Sequence, residues 1–174
     1  MRSAILVALI SAMSGPIFAQ DASDDDDYPL PEYHEFGQPA SPEVPTAISD
    51  VLTRFNKAWA AEDVEGLLGI YDADVEWTNA YGVVRRGHEE LGRFLKELFD
   101  HFDSAVAAEE SSSRRRLSTR YLGSDVVIVH NFTESRRTPS RSGDGSRGIH
   151  STFVLRKAAD GWRIVYHMIM DARL

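Results

Sequence analysis

The sequence contains no cysteine, which excludes disulfide bonds, a thiolate nucleophile and a cysteine-ligated metal centre. Positive charge is also scarce, because 19 Lys and Arg residues stand against 27 Asp and Glu residues and leave a formal net charge of −8. Such a chain lacks the basic surface that neutralises phosphates, so we expect no nucleic-acid partner. Neither a phosphate-binding loop nor a serine nucleophile elbow occurs, and we therefore expect no cofactor.

Long hydrophobic runs are missing as well, and the apolar run near the N-terminus has the pattern of a signal peptide. Arg2 precedes the apolar residues 4–13, which are too few to span a bilayer, and residues 17–19 offer a cleavage site before Gln20. We therefore expect residues 1–19 to be removed and the mature protein to be exported, periplasmic or extracellular, without a membrane partner. An uncleaved N-terminal anchor is the alternative.

Residues 20–45 have the composition of an acidic, proline-rich linker. Five aspartates at 21 and 24–27 repel one another, and five prolines disfavour a continuous helix. The aspartates could bind a hard cation, but a solvated tail is favoured because a cation site also needs a turn that brings the oxygens together. The folded domain is expected over residues 46–174, with Thr46 capping its first helix.

What the sequence does have is apolar periodicity over most of this domain. With 174 residues, 43% of them hydrophobic, the chain can bury a sizeable core in one domain. Helical spacing predicts helices over 47–61, from Val64 to about Tyr71, and from Gly87 to Phe102. Alternating residues at 75–79 and a return at 83–85 predict a short pair of strands between the second and third helices.

Four further strands are predicted after the helices, at 114–122, 126–135, 147–157 and 162–171. The last two form a hairpin that turns at Ala159-Asp160-Gly161. The expected fold class is therefore α+β: a cone-shaped domain in which three N-terminal helices pack on a curved, mostly antiparallel six-stranded sheet.

Several segments occur together in a characteristic order: Phe55-Asn56-Lys57-Ala58-Trp59, Asp63, Tyr71 to Asn79, Gly82, Asp125 to His130, Gly161 to Ile164 and His167. Over about residues 46–172 the chain thereby resembles SnoaL-like proteins of the SgcJ/EcaC type, in the superfamily of nuclear transport factor two and ketosteroid isomerase. It departs after His167, where Met168 and Ile169 replace the Asn and Thr that often follow. The resemblance implies a cone with an apolar pocket, frequent homodimers, and functions from isomerases to non-catalytic binding modules.

Alternate residues of paired strands lie on the same face of a sheet, and this rule, applied to the last hairpin, predicts the candidate catalytic residues. If the strands pair regularly outward from the turn, His150, Thr152 and His167 share one face, with Asp171 at its end. A histidine in an apolar setting can act as an acid or a base, so His150 and His167 are the candidate catalytic pair. The alternative is a pair of structural histidines that only hydrogen-bond their neighbours, and the sequence does not separate the two.

Trp77, Asn79, Tyr81 and His130 are the candidate ligand-binding residues. The resemblance implies that the face carrying Trp77 points into the cone, with Asn79 beyond it to orient a polar ligand. Trp77 could equally be plain core, Tyr81 could fill the turn, and a satisfied buried histidine is the favoured interpretation of His130. No metal is predicted, because the histidines lack the close spacing of a local metal pair.

Two other motifs are interpreted as structural. Arg114-Arg115-Arg116 could hold an anion, but a solvated strand start is favoured because Glu109 and Glu110 precede it. Residues 143–148 spell a dinucleotide-binding fingerprint, yet they lie between two antiparallel strands and open no helix.

These observations predict an exported protein that binds a small apolar ligand in an apolar pocket. If it is an enzyme, cofactor-independent acid–base chemistry of the isomerase, cyclase or dehydratase type fits, because neither a cofactor motif nor a nucleophile is present. The alternative is a non-catalytic binding or dimerisation module of the same fold. Both faces of the last two strands are apolar, which predicts a homodimer.

Overall fold

The computed structural model describes residues 30–137 and 147–172. The predicted signal peptide, the first third of the predicted linker and most of the dinucleotide-like motif lie outside these residues. The elements are β1 (His34–Phe36), α1 (Glu43–Ala60), α2 (Val64–Leu68), β2 (Tyr71–Thr78), β3 (Val84–Arg86), α3 (Gly87–His101), α4 (Ser104–Ser113), β4 (Arg115–Leu122), β5 (Val126–Ser135), β6 (Arg147–Ala158) and β7 (Gly161–Asp171). None of the described helices is both long and apolar enough to cross a bilayer.

The strands form one sheet in the order β1-β4-β5-β6-β7-β2-β3. Strands β1 and β4 are parallel, as are β2 and β7, and the other neighbours are antiparallel. We call the face that packs on the helices the inner face and the opposite one the outer face. The predicted α+β fold with helices on a mostly antiparallel sheet is confirmed, but the described sheet has seven strands rather than six because β1 was not predicted.

The ordered structure starts before residue 46, which corrects the predicted end of the linker. Strand β1 adds to the edge of the sheet, and α1 begins at Glu43, so that Thr46 lies inside the helix rather than at its N-cap. The prolines of this segment are compatible with a helix that starts at Glu43. Pro42 and Pro45 fall at the N-cap and in the first turn of α1, where a missing backbone N–H costs no helical hydrogen bond.

Helix α4 and the start of β2 also differ from the sequence-based expectation. The α4 sequence has no apolar stripe, since Ala107 and Glu110 are its buried residues, and periodicity could not reveal it. Tyr71 was assigned to the second helix, but it begins β2 and pairs with Ile164 of β7. Helix α2 is therefore a single short turn that ends at Leu68.

The inner face changes from apolar to polar along the meander. One row across the strands consists of Tyr121, Val127, Leu155 and Ile164. The following rows contain Val129, Phe153 and His167, and then Asn131, Ser151 and Ile169. Buried side chains of α1 cover the apolar part, among them Ile48, Phe55 and Trp59. The polar part of the inner face therefore lies at the end that carries Asn131 and Ser151.

A β-bulge at Val165 changes which residues of the last hairpin lie on the same face of the sheet. Pairing runs regularly from Ala158↔Gly161 to Leu155↔Ile164, and the next pair is Val154↔Tyr166, so Val165 has no opposite residue. Strand β2 is irregular at the same level. A bulge moves every later residue of its strand to the other face. The prediction that His150 and His167 share a face is therefore wrong.

Candidate functional site

The bulge places His167 on the inner face, where it meets Tyr71 across the β2–β7 ladder. The Tyr71 hydroxyl and His167 Nδ1 are 2.8 Å apart, and the two residues are 1% and 2% exposed. The His167 ring lies 4.3 Å from the Phe153 ring and 5.9 Å from the rings of Phe55 and Trp77, measured between centroids. The cone interior thus holds a polar pair surrounded by aromatic rings.

Both members of this pair are electrically neutral. Burial lowers the pKa of His167 well below its usual value, and the nearby charge of Arg114 lowers it further. Burial raises the pKa of Tyr71, so the phenol keeps its proton. Since His167 Nδ1 is the acceptor that the structure provides for the Tyr71 hydroxyl, the histidine proton is assigned to Nε2. Nε2 is buried and has no hydrogen-bond partner.

Trp77 Nε1, Asn131 Nδ2 and Arg114 Nε are three further buried nitrogen atoms without a protein partner. Trp77 is opposite His167 in the sheet, and Asn131 lies opposite Ser151 in the adjacent row. With His167 Nε2–H these groups are all hydrogen-bond donors. The unpartnered groups of Trp77, Asn131, Arg114 and His167 are therefore all of one kind, donors without acceptors.

Arg114 extends from the end of α4 into this interior. Its Nη1 donates to Asn56 Oδ1 at 2.5 Å, and its Cζ is 5.0 Å from the Phe55 ring centroid. The residue as a whole is half-buried, and its Nε is shielded from solvent. Burial lowers the pKa of Arg114 to about 10, which leaves it charged at neutral pH. The expectation of a solvated strand start holds for exposed Arg115 and is wrong for Arg114.

A second buried polar cluster surrounds Glu110 on α4. This carboxylate accepts from Trp59 Nε1 at 2.7 Å, from Ser135 Oγ at 2.5 Å and from Arg137 Nε at 3.1 Å. The Arg137 Cζ lies 5.3 to 5.6 Å from the ring centroids of Trp59, Phe99 and Phe102. Both terminal nitrogens of Arg137 are buried without a partner. Two guanidinium groups, that of buried Arg137 and that of half-buried Arg114, therefore lie near one buried carboxylate, Glu110.

His150 and His130, the other predicted histidines, lie together on the outer face. His130 Nε2 and His150 Nδ1 are 2.9 Å apart, and both residues are half-buried. Burial lowers the pKa of each, and the charge of His150 lowers that of His130 further. His150 is therefore separated from His167 by the sheet itself. Asp171, which was expected at the end of the face that carries His167, lies on the same side of β7 as His167 and forms a salt bridge of 3.0 Å with Arg147.

Of the predicted ligand-binding residues, Trp77 alone adjoins the Tyr71–His167 pair. Asn79 Oδ1 accepts the backbone N–H groups of Tyr81 and Val83, both at 2.9 Å, and so closes the turn after β2. Tyr81 is 60% exposed and contacts Arg147. Asn79 and Tyr81 are thus turn residues rather than parts of the interior.

Tyr71, Asn131 and Arg114 were missed as site residues. Tyr71 is separated from Val75 and Trp77 by even numbers of residues, as expected for one face of a strand, and this was the available signal. Asn131 follows Val127 and Val129 at the same two-residue spacing. No feature of the sequence indicates how deeply the Arg114 side chain is buried, because its burial depends on where α4 ends against the sheet.

Two surface grooves lie away from this interior. One groove is lined by Arg85, Glu90, Arg93, Phe94 and Glu97, and another by residues of α4 with Glu134 and Arg136. Neither includes Tyr71 or His167. Within residues 30–137 and 147–172, no three histidine or carboxylate side chains are arranged to hold a metal ion.

Comparisons with known proteins agree on the fold. The family model described as a SnoaL-like domain matches residues 52–167. A ketosteroid isomerase-like protein from Erwinia carotovora atroseptica has a TM-score of 0.60 at 18% identity, covering 76% of this chain and 98% of that chain. An NTF-2 like protein of unknown function from Shewanella oneidensis has a TM-score of 0.57 at 17% identity, covering 74% and 99%. A protein of unknown function with a cystatin-like fold from Nostoc punctiforme has a TM-score of 0.55 at 17% identity, covering 77% and 95%. A search of curated proteins gave no significant match.

Proposed function

Because this chain belongs to the SnoaL-like domain family, we propose that it binds a small molecule inside its cone, between the inner face and helices α1, α3 and α4. The observation that carries the proposal is the group of unpartnered buried donors around Tyr71 and His167. A buried donor without an acceptor costs about 1–3 kcal/mol. A fold that retains several of them in one place gains most when a ligand accepts their hydrogen bonds.

Each residue of the site has a distinct part in this binding. His167 Nε2–H and Trp77 Nε1–H donate to the polar end of the ligand, while the rings of Phe55, Phe153 and Trp77 enclose its apolar part. Tyr71 is a positioning residue, because its hydroxyl bond to Nδ1 keeps the His167 proton on Nε2.

The test compares two buried tryptophans by ligand-observed NMR with small aromatic and aliphatic acids and amides. Trp77→Phe keeps an aromatic ring and removes the donor, so it should weaken binding about tenfold, which corresponds to one hydrogen bond of roughly 1.4 kcal/mol. Trp162→Phe is the matched control, since Trp162 is also buried but lies at the apolar end of the inner face. No binding by any compound, or equal loss in both variants, would contradict the proposal.

A second candidate function, cofactor-independent isomerisation, is favoured by the Tyr71–His167 hydrogen bond. A neutral imidazole that donates from Nε2 can stabilise an enolate oxygen as it forms. This activity also needs a proton acceptor. Glu110 is the buried carboxylate of the described core, and its oxygens already accept three side-chain donors. Deuterium uptake next to the carbonyl of a small cyclic ketone, lost in His167→Gln, would establish this activity; no uptake leaves binding as the function.

The proposal includes a homodimer that forms through the outer face. That face carries apolar side chains that remain half-buried or exposed: Ile128, Phe132, Val154, Tyr166, Met168 and Met170. A second copy of the chain would cover the same patch symmetrically.

Export after cleavage near Gln20 is also part of the proposal, on the basis of the N-terminal sequence pattern. An intact-mass measurement of the protein from its host that shows Met1 retained would contradict it.

A further inference from the structure

The buried charges around the proposed site are unbalanced, and this identifies the chemical class of the ligand. We infer that the ligand is a small monocarboxylate with an apolar body, whose carboxylate lies against Arg114. The inference rests on the proposed function and adds the charge of the ligand's polar group to it.

The first argument is the charge inventory. Arg114 and Arg137 bring two positive charges to the rings of Phe55 and Trp59, and Glu110 is the carboxylate that the described residues place at these rings. Glu110 is engaged by Arg137, and neutral His167 adds no charge. Buried charges in proteins are normally paired, because an isolated ion loses its hydration. One positive charge is therefore left for a ligand with one negative charge.

The second argument is the hydrogen-bonding edge of Arg114. Its Nη1 donates to Asn56, which holds the guanidinium plane in place and leaves Nε buried without a partner. A guanidinium presents its donors in a planar fork that fits the two oxygens of a carboxylate. Asn56 thus acts as a positioning residue for this edge.

The third argument is that the remaining unpartnered groups match an acceptor-only ligand group. His167 Nε2–H, Trp77 Nε1–H and Asn131 Nδ2 all donate, and a carboxylate only accepts. Arg114 and His167 lie close to the same ring, with 5.0 Å from Arg114 Cζ to the Phe55 centroid and 5.9 Å between the Phe55 and His167 centroids. Aromatic walls on this scale favour an organic acid over free inorganic phosphate, whose whole surface is polar.

The experiment measures dissociation constants of the full chain for matched acids and amides. The pairs are benzoate with benzamide, hexanoate with hexanamide, and cinnamate with cinnamamide. Within each pair the hydrocarbon part of the molecule is the same, and only the polar group and its charge differ. Wild-type protein should bind the acid of the best pair at least tenfold more tightly than its amide. Arg114→Met should reduce this preference to about twofold or less, and Arg115→Met, at the exposed neighbouring arginine, should leave it unchanged.

The outcomes separate this inference from the proposed function. Amides that bind as tightly as acids would overturn the carboxylate inference and leave the binding function standing. If no member of any pair binds, both fall. An acid preference that survives in Arg114→Met, or displacement of the acid by equimolar inorganic phosphate, would also overturn it. Should Arg114→Met fail to fold, Arg114→Lys decides: it keeps the charge, loses the Nε donor, and should show an intermediate preference.

Discussion

Adjacent acidic residues of α4 illustrate how strongly environment decides the importance of a single side chain. Glu109 pairs with Arg136 at the surface, and Glu110 pairs with Arg137 in the interior. Exposed pairs contribute about 0–1 kcal/mol, whereas loss of one partner of a buried pair costs about 3–5 kcal/mol. The two pairs are equally spaced in sequence, so they form a controlled comparison.

Glu110→Gln should therefore lower the free energy of unfolding by about 3–5 kcal/mol, because it leaves Arg137 buried without a carboxylate. Glu109→Gln should change it by about 1 kcal/mol or less. Urea denaturation at one protein concentration measures both. Equal effects of the two substitutions would show that the interior cluster is not held by its charge.

His167 gives a dependence of stability on pH with a defined sign. Its pKa is depressed in the folded protein, so below the usual histidine pKa of about 6.5 the unfolded chain binds a proton that the folded chain does not. Folding stability should consequently fall as pH falls from about 7 to about 5, by up to about 1.4 kcal/mol per pH unit from this residue.

His167→Gln keeps an acceptor for Tyr71 and removes the titrating group, so its stability should fall less steeply over the same pH range. His101→Gln, at an exposed histidine of α3, is the control and should follow the wild-type slope. The idea fails if the wild type and His167→Gln have parallel profiles.

At the level of secondary-structure elements, the bulge of β7 has the largest consequence for the site. One extra residue, Val165, turns His167 inward and leaves His150 outside. Bulges bend a strand and increase its twist, and the irregularity of β2 at the same level accommodates that bend. The arrangement brings Tyr71, which precedes the irregular part of β2, within hydrogen-bond distance of His167.

The end of α1 is an element-scale feature with a measurable cost. Glu62 adopts a left-handed backbone conformation with φ of 54°, and its buried Oε1 has no partner. Glycine adopts this conformation without a Cβ clash. Glu62→Gly should therefore be more stable than Glu62→Ala by about 1 kcal/mol in urea denaturation. An alanine variant as stable as the glycine variant would show that the turn relaxes.

At the scale of the whole molecule, the proposed homodimer would form through the outer face. Met168 is 36% exposed on β7 within the apolar patch, and a charge there would be desolvated by a second copy. Met168→Lys should convert a dimer into a monomer at micromolar concentration in sedimentation experiments. Val83→Lys, at a similarly exposed residue in the turn between β2 and β3, should not. A monomeric wild type would refute the proposed dimer directly.

The sequence by itself determined the class of fold and the positions of most of its helices and strands. Alternating and helical apolar spacing placed α1, α3 and the four strands of the meander, because burial of an apolar face is encoded locally. It did not reveal α4, where Ala107 is small and Glu110 is polar, or β1, whose three residues gain order from pairing with β4. Those elements owe their existence to partners that are distant in the sequence.

The candidate site was decided by tertiary structure. The sequence singled out His167 and Trp77, and both are there, yet His150 lies behind the sheet and Asn79 closes a turn. The parity of a strand can be read from residue types only while its pairing is regular, and the bulge at Val165 depends on the strands to either side. The position of Arg114 likewise depends on how α4 ends against α1 and the sheet, so its charge lies beside the aromatic interior only in the folded chain.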